Sequence, residues 1–155
     1  MLDLIEGARV IVGNTPTSAV VAGGDWINTE NMHTVWAICL RSVGKTYAQV
    51  FEGQVSESYA GASASTAQCK IWYSNTVSST SLNTERLIAS TNTTGWTAGT
   101  SDCMCIMRFD PASADTSDHF FRVATPTSGW LTSIAYVCEP RYASLNPGLA
   151  TTSST

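Results

Sequence analysis

Charge is scarce in this 155-residue sequence: Asp, Glu, Lys and Arg make up 13% of it, about half the share of roughly 25% usual for globular domains. The eight Lys and Arg residues cluster nowhere, and the formal net charge is -4. Binding DNA or RNA through phosphates needs a basic stripe, so nucleic acid is not an expected partner. No apolar run approaches the roughly 18 residues of a membrane-spanning helix. The opening Met1-Leu2-Asp3-Leu4-Ile5-Glu6 puts acids where a secretory leader has a basic flank and an apolar stretch. The expectation is a protein that is neither exported by that route nor held in a membrane. No stretch of ten or more residues carries a helical period.

Catalytic constellations are equally sparse. Gly44-Lys45-Thr46 imitates the end of a phosphate-binding loop, but position 39 is Cys39 where that loop needs glycine, and a strand pattern follows where a helix should. His33 and His119 are the candidate neutral-pH bases. Neither belongs to a recognisable triad, and no GxSxG nucleophile elbow occurs. Asp102, Asp110, Asp115 and Asp118 gather around one strand and its loop without the spacing of a helix-flanked calcium loop. Asn92-Thr93-Thr94 is a formal glycosylation sequon, read as coincidence without a secretion signal. The sequence is therefore read as that of a non-enzyme without cofactor or metal.

Five cysteines, Cys39, Cys69, Cys103, Cys105 and Cys138, are an odd number for a disulfide framework. Each lies in an apolar run, where a free thiol acts as a small hydrophobe. No CxxC and no His at ligand spacing accompanies them. They are expected to be reduced core residues of a protein made in a reducing cytoplasm.

What the chain has in quantity is short alternating segments separated by Gly, Ser, Thr, Asn and Pro, with 43% hydrophobic residues overall. Strands are predicted over Ala8–Val12, Thr34–Leu40, Tyr47–Val55, Gln68–Ser74, Cys103–Phe109, Phe120–Thr125 and Leu131–Cys138, with a short one around Ile88. Ser42-Val43-Gly44-Lys45 reads as a hairpin turn between two of them. Asp110–Asp118 reads as a loop or a single helical turn. In Gln68–Ser74, Cys69, Ile71 and Tyr73 share one face. In the last strand Ile134, Tyr136 and Cys138 oppose Ser133, Ala135 and Val137. Apolar residues on both faces suggest cover by a second sheet and by a neighbouring subunit. The fold class is all-β, an antiparallel β-sandwich or jelly roll of one domain. An N-terminal arm and first strand occupy 1–24, the sandwich 25–142, and a polar tail 143–155. That tail cannot bury itself and is expected to be held by neighbouring subunits.

Of the five tryptophans, Trp36 and Trp72 lie within predicted strands as core or inter-sheet packing. Trp96 and Trp130 each follow a Gly and are placed at turns, where an aromatic can anchor an interface or stack on a sugar. From Asp25 to Tyr142 the order of features resembles the small structural proteins of tailed-bacteriophage heads, the capsid decoration or cement type. The residues that carry this are Asp25-Trp26-Ile27, the strand Thr34–Leu40, the long strand Tyr47–Val55, Ile106-Met107-Arg108-Phe109-Asp110-Pro111, Phe120–Ala124, and the ending Ile134–Tyr142 with its Pro-Arg-Tyr. Where such proteins carry a short aliphatic and acidic helix after the Asp, this chain has Ala112-Ser113-Ala114-Asp115-Thr116.

The resemblance implies a sandwich that binds and reinforces the outer surface of an icosahedral shell, with no cofactor and no catalysis. It implies the major capsid protein or other virion proteins as partners, a homo-oligomer (a trimer favoured), synthesis in the host bacterial cytoplasm and residence on the virion. A low-charge, hydroxyl-rich surface suits crowding of many copies, because it avoids long-range repulsion. Candidate contact residues are Leu2, Leu4, Ile5, Trp26, Trp96, Trp130, Arg141, Tyr142 and Leu145. A phage tail, baseplate or head-fibre component is the alternative. A carbohydrate-binding module using Trp96 and Trp130 is a more distant one.

Overall fold

The computed structural model describes residues 9–14, 24–41, 49–74, 88–98, 103–125 and 132–141. Eleven strands and one 3-10 turn (Pro111–Ser113) follow one another: β1 (Arg9–Asn14), β2 (Ile27–Asn28), β3 (Met32–Arg41), β4 (Gln49–Ser56), β5 (Ser65–Thr66), β6 (Cys69–Ser74), β7 (Ile88–Thr93), β8 (Gly95–Ala98), β9 (Cys103–Phe109), β10 (Phe120–Ala124) and β11 (Thr132–Pro140). They build two sheets. One runs β1-β11-β3-β9-β6-β7; the other runs β2-β10-β4-β5, with β8 also on β4. Every pairing is antiparallel. The chain is thus an all-β sandwich, as its alternation predicts.

Period-two patterning explains the layers. In β9, Cys103, Cys105, Met107 and Phe109 are buried while Met104, Ile106 and Arg108 face the other way. Register carries this across the six-stranded sheet: Tyr136 stands beside Ala37, which stands beside Met107, which stands beside Ile71. From the five-stranded sheet Phe51, Val55, Phe121 and Val123 point inward, all nearly inaccessible. Phe109 and Phe121 stack across the gap with centroids 4.5 Å apart and planes at 6°. The five cysteines are buried and form no disulfide, small side chains set among large ones.

Ser42–Lys45 lies outside the described residues, but the two strands it was expected to join as a hairpin do not pair. β3 has β11 on one side and β9 on the other, and β4 lies in the opposite sheet. β3 and β4 therefore belong to different layers, both edges of β3 being already hydrogen-bonded. Along β4 one edge is shared: Gln54 and Val55 pair with β5, whereas Gln49 to Glu52 pair with β8. Gly53 lies at the junction, donating its N–H to the Thr94 carbonyl at 2.9 Å and accepting the Ala67 N–H at 2.8 Å.

Tyr136 ties the layers together. Its ring is fully buried, and its hydroxyl accepts the Val123 N–H of the opposite sheet at 3.0 Å. Val123 in turn accepts the Gly24 N–H at 2.8 Å, and a side chain at Gly24 would collide with the Tyr136 hydroxyl. Tyr136→Phe should leave the Val123 N–H buried and unsatisfied, which costs about 1–3 kcal/mol. A urea titration should show a lower midpoint with the slope unchanged; an unchanged midpoint would refute the role given to this bond.

Burial also governs the thiols. It pushes Cys69 up from the usual 9.0 to about 12, and raises Cys39 and Cys105, where neighbouring thiols add to it. The folded state thus favours the neutral thiol, so this contribution is whole below about pH 9. It is lost as pH climbs from 9 toward 12 and the unfolded thiols ionise first. Stability should therefore fall steadily above pH 9. A thiol reagent at pH 8 should find none of the five reactive until denaturant is added.

Candidate functional site

The two outer faces of the sandwich differ in chemistry. On the five-stranded sheet, Arg122 donates from Nε and Nη2 to the Gln54 Oε1 at 3.0 and 2.9 Å. Gln54 passes the chain on, donating from Nε2 to Glu52 Oε1 at 2.9 Å. The Arg122 guanidinium also lies 4.5 Å over the Trp26 ring. Partial desolvation lowers its pKa. This face satisfies its own polar groups.

The outer face of the six-stranded sheet is apolar. Register lays out one row as Val10, Val137, Trp36, Arg108 and Lys70, and the next as Val12, Ala135, Ile38, Ile106 and Trp72. A third row holds Ser133, Leu40 and Met104. Val12 is 63%, Val10 56% and Leu40 43% exposed. Trp36 and Trp72, expected inside the sandwich, instead sit together here with centroids 5.7 Å apart. The reason is phase: Val35, Ala37 and Cys39 take the inward positions of β3, so Trp36 must point outward. Trp36 donates from Nε1 to Glu139 Oε1 at 3.1 Å, and the Arg108 guanidinium lies 5.6 Å over its ring.

At one end of the sandwich an open cleft of about 490 Å³ is lined by Val55, Ala67, Lys70, Arg108, Asp110, Asp115 and Asp118, among others. Asp110 caps the 3-10 turn, accepting the Ala112 N–H at 3.0 Å. The Asp118 carboxyl is raised, chiefly by partial burial and then by the Asp115 and Glu57 carboxylates. Among the described residues no three His, Cys, Asp or Glu side chains converge to hold a metal. His33 and His119 are both exposed.

The residues expected to make contacts are scattered in their fates. Trp26 is 7% exposed, covered by Arg122 and by the turn at Gly61, where a φ of 71° and a Cβ that would come within 3.0 Å of Trp26 Nε1 leave no room for a side chain. Its ring packs within the domain. Trp96 is not at a turn but within β8, opposite Phe51. It points between the sheets and stacks on Tyr73 at 4.6 Å and beside Phe51 at 6.2 Å, so its ring closes the sandwich edge and is not a free platform for a sugar. Arg141 is exposed yet fastens the end of β11, donating its N–H to the Asn31 carbonyl at 2.9 Å and its Nε to the Met32 carbonyl at 3.2 Å. Leu2, Leu4, Ile5, Trp130, Tyr142, Leu145 and the polar tail lie outside the described residues. So do Asp102 and Gly44-Lys45-Thr46. The apolar residues on both faces of β11 pointed to an outer face open to cover, but none of the candidate contact residues lies in its three rows.

Fold and surface together define a two-layer antiparallel sandwich with one self-satisfied face and one open apolar face. No family model and no curated protein sequence matches the chain. Among solved structures, the crystal structure of SPBc2 prophage-derived protein YomS shares the fold, with a TM-score of 0.50 at 6% identity over 84% of this chain and 91% of that one. Among the described residues no helix is long and apolar enough to cross a membrane.

Trp96→Ala removes the aromatic joining β8 to Tyr73 of the other sheet. It should destabilise the fold by about 2–4 kcal/mol, at the lower end for a truncated half-buried aromatic, measured as a lower urea midpoint. An unchanged midpoint would return Trp96 to the list of surface contacts.

Proposed function

We propose that the chain is a structural protein of phage origin, a capsid decoration protein that binds the outer surface of a head and stabilises it. The observation that carries this reading is the open apolar face on a sandwich whose other face is satisfied by its own Glu52-Gln54-Arg122 chain. A domain built to be covered on one side works by association. The fold shared with a prophage-derived protein and the sequence resemblance to head decoration proteins point the same way. The reading needs no catalytic step and no cofactor. Its partners are the major capsid protein or other virion proteins, and copies of itself.

The physics of such a role is mass action. A protein that binds only the assembled shell stabilises it by RT ln(1 + [L]/Kd) at each site, about 2.7 kcal/mol when its free concentration is 100 times Kd. Many copies bridging neighbouring capsomers add to this. Mixed with undecorated heads, the purified chain should sediment with them at a fixed stoichiometry and raise their melting temperature. A folded chain that leaves heads unbound and unstabilised would overturn the reading; its recovery in tails or baseplates instead would establish the other virion location.

A further inference from the structure

We propose that the outer face of the six-stranded sheet seats the same face of a second copy, forming a two-fold pair in which Glu139 of each chain meets Arg108 of the other.

The size of the patch is the first argument. Two of its rows cross five strands, β1, β11, β3, β9 and β6, and the third crosses β11, β3 and β9. At about 4.8 Å between strands and about 3.3 Å per residue, it measures roughly 24 Å by 17 Å, or roughly 400 Å² in projection. A stable pair buries about 800 Å² on each partner, as an apolar centre inside a polar rim. The patch has the dimensions of that centre, and Lys70, Arg108, Glu139 and Ser133 lie around it as the rim. Sheets of two chains stacked in this way bury side chains as the two layers of a sandwich do.

The charges supply the symmetry. Glu139 lies on β11, to one side of β3; Arg108 lies on β9 and Lys70 on β6, to the other side. A two-fold axis in the interface, running along β3, carries the β11 side of one copy over the β9 side of the other. The partner's Val12 then comes over Trp72, and the partner's Val137 over Arg108. The partner's Glu139 lies one row further along β11; its hydrogen bond from Trp36 Nε1 turns the carboxylate back to the Trp36 row and so toward the Arg108 guanidinium. The contact is made twice, as self-complementary pairing requires. Arg108 fits such a role: its Nε is buried and has no hydrogen-bond partner among the described residues, while its guanidinium rests on Trp36, the ring that also holds Glu139. A three-fold ring would join two different patches, whereas one patch meeting itself gives a pair.

This inference sharpens the self-association in the function proposed above, but its test needs no phage particle. Sedimentation velocity on the full chain from 1 to 100 μM should show a species of twice the chain mass. Val12→Lys with Leu40→Lys alters two exposed positions, which leaves the monomer folded, and should weaken pairing at least tenfold. Arg108→Glu alone and Glu139→Arg alone should each weaken it similarly, and the double exchange should restore at least part of the loss. Circular dichroism and the urea midpoint confirm that each variant is folded. A monomer across this range overturns the proposal, whether residues 1–8 cover the face or another protein does. So does a trimer, or a pair indifferent to all of these substitutions. Head binding by a monomeric chain would sink the pairing alone, and pairing without head binding would sink decoration alone.

Discussion

The hydroxyl of Tyr136, accepting a backbone N–H from the opposite sheet, sets the spacing on which the rest of the sandwich depends. Two packed sheets stand about 10 Å apart, and a tyrosine reaches across that gap only if nothing else occupies its path. Ala37 beside it in register and Gly24 against its hydroxyl keep the path clear. Phe121 meets its ring edge-on at 6.3 Å and stacks on Phe109, which fixes the second large side chain in the same layer. Thiols fill the remaining positions, since Cys39 and Cys105 face each other across β3 and β9 where anything larger would force the sheets apart. At the β6 edge, Tyr73 and Trp96 close the gap with stacked rings. Burial drives Tyr136 far toward its neutral form, the form that donates as well as accepts.

With the interior committed in this way, the outer faces are where recognition must occur. They have diverged: one carries a connected polar chain, the other tryptophans, isoleucines and valines. A large open apolar patch is uncommon on monomers and marks a surface meant to be covered. The cation-π contact between Arg108 and Trp36, and the hydrogen bond from Trp36 to Glu139, hold both charges against the sheet. They are thus positioned for a partner rather than left as long, mobile side chains whose ordering would oppose binding.

Much of this architecture was legible in the sequence because alternation survives wherever a strand is long. β9, β11 and β6 were readable down to which residues share a face. β2, β5 and β8 were not, since two to four residues carry too little period to register. The Gly before Trp96 looked like a turn, and there is indeed a bend at Thr94, but the backbone resumes pairing with β4 at Gly95. The false hairpin between β3 and β4 shows a different limit. A turn signal reports that the chain reverses, and it is silent on whether the next strand joins the same sheet. The tryptophans expose a third limit. Side-chain size gave Trp36 and Trp72 an interior place, whereas the phase set by Val35, Ala37 and Cys39 gave them an exterior one. Trp26 erred in the opposite direction: it became buried through Gly61 and Arg122, residues distant from it in sequence.

The sparse charge takes on a definite meaning at this face. A strand apolar on both sides, as β9 nearly is, carries no internal instruction about how its outer surface should be covered. Stacked sheets with uniform apolar faces can slide by a residue or by a strand and lose little. Arg108 and Glu139 limit that freedom, because a slip by a strand or a row parts the two charges that the two-fold arrangement brings together. Few charges serve this purpose better than many would. Arg108 and Glu139 are each held against Trp36 at one place on the lattice of side chains, so one arrangement matches them, and a surface otherwise poor in charge lets copies stand close together.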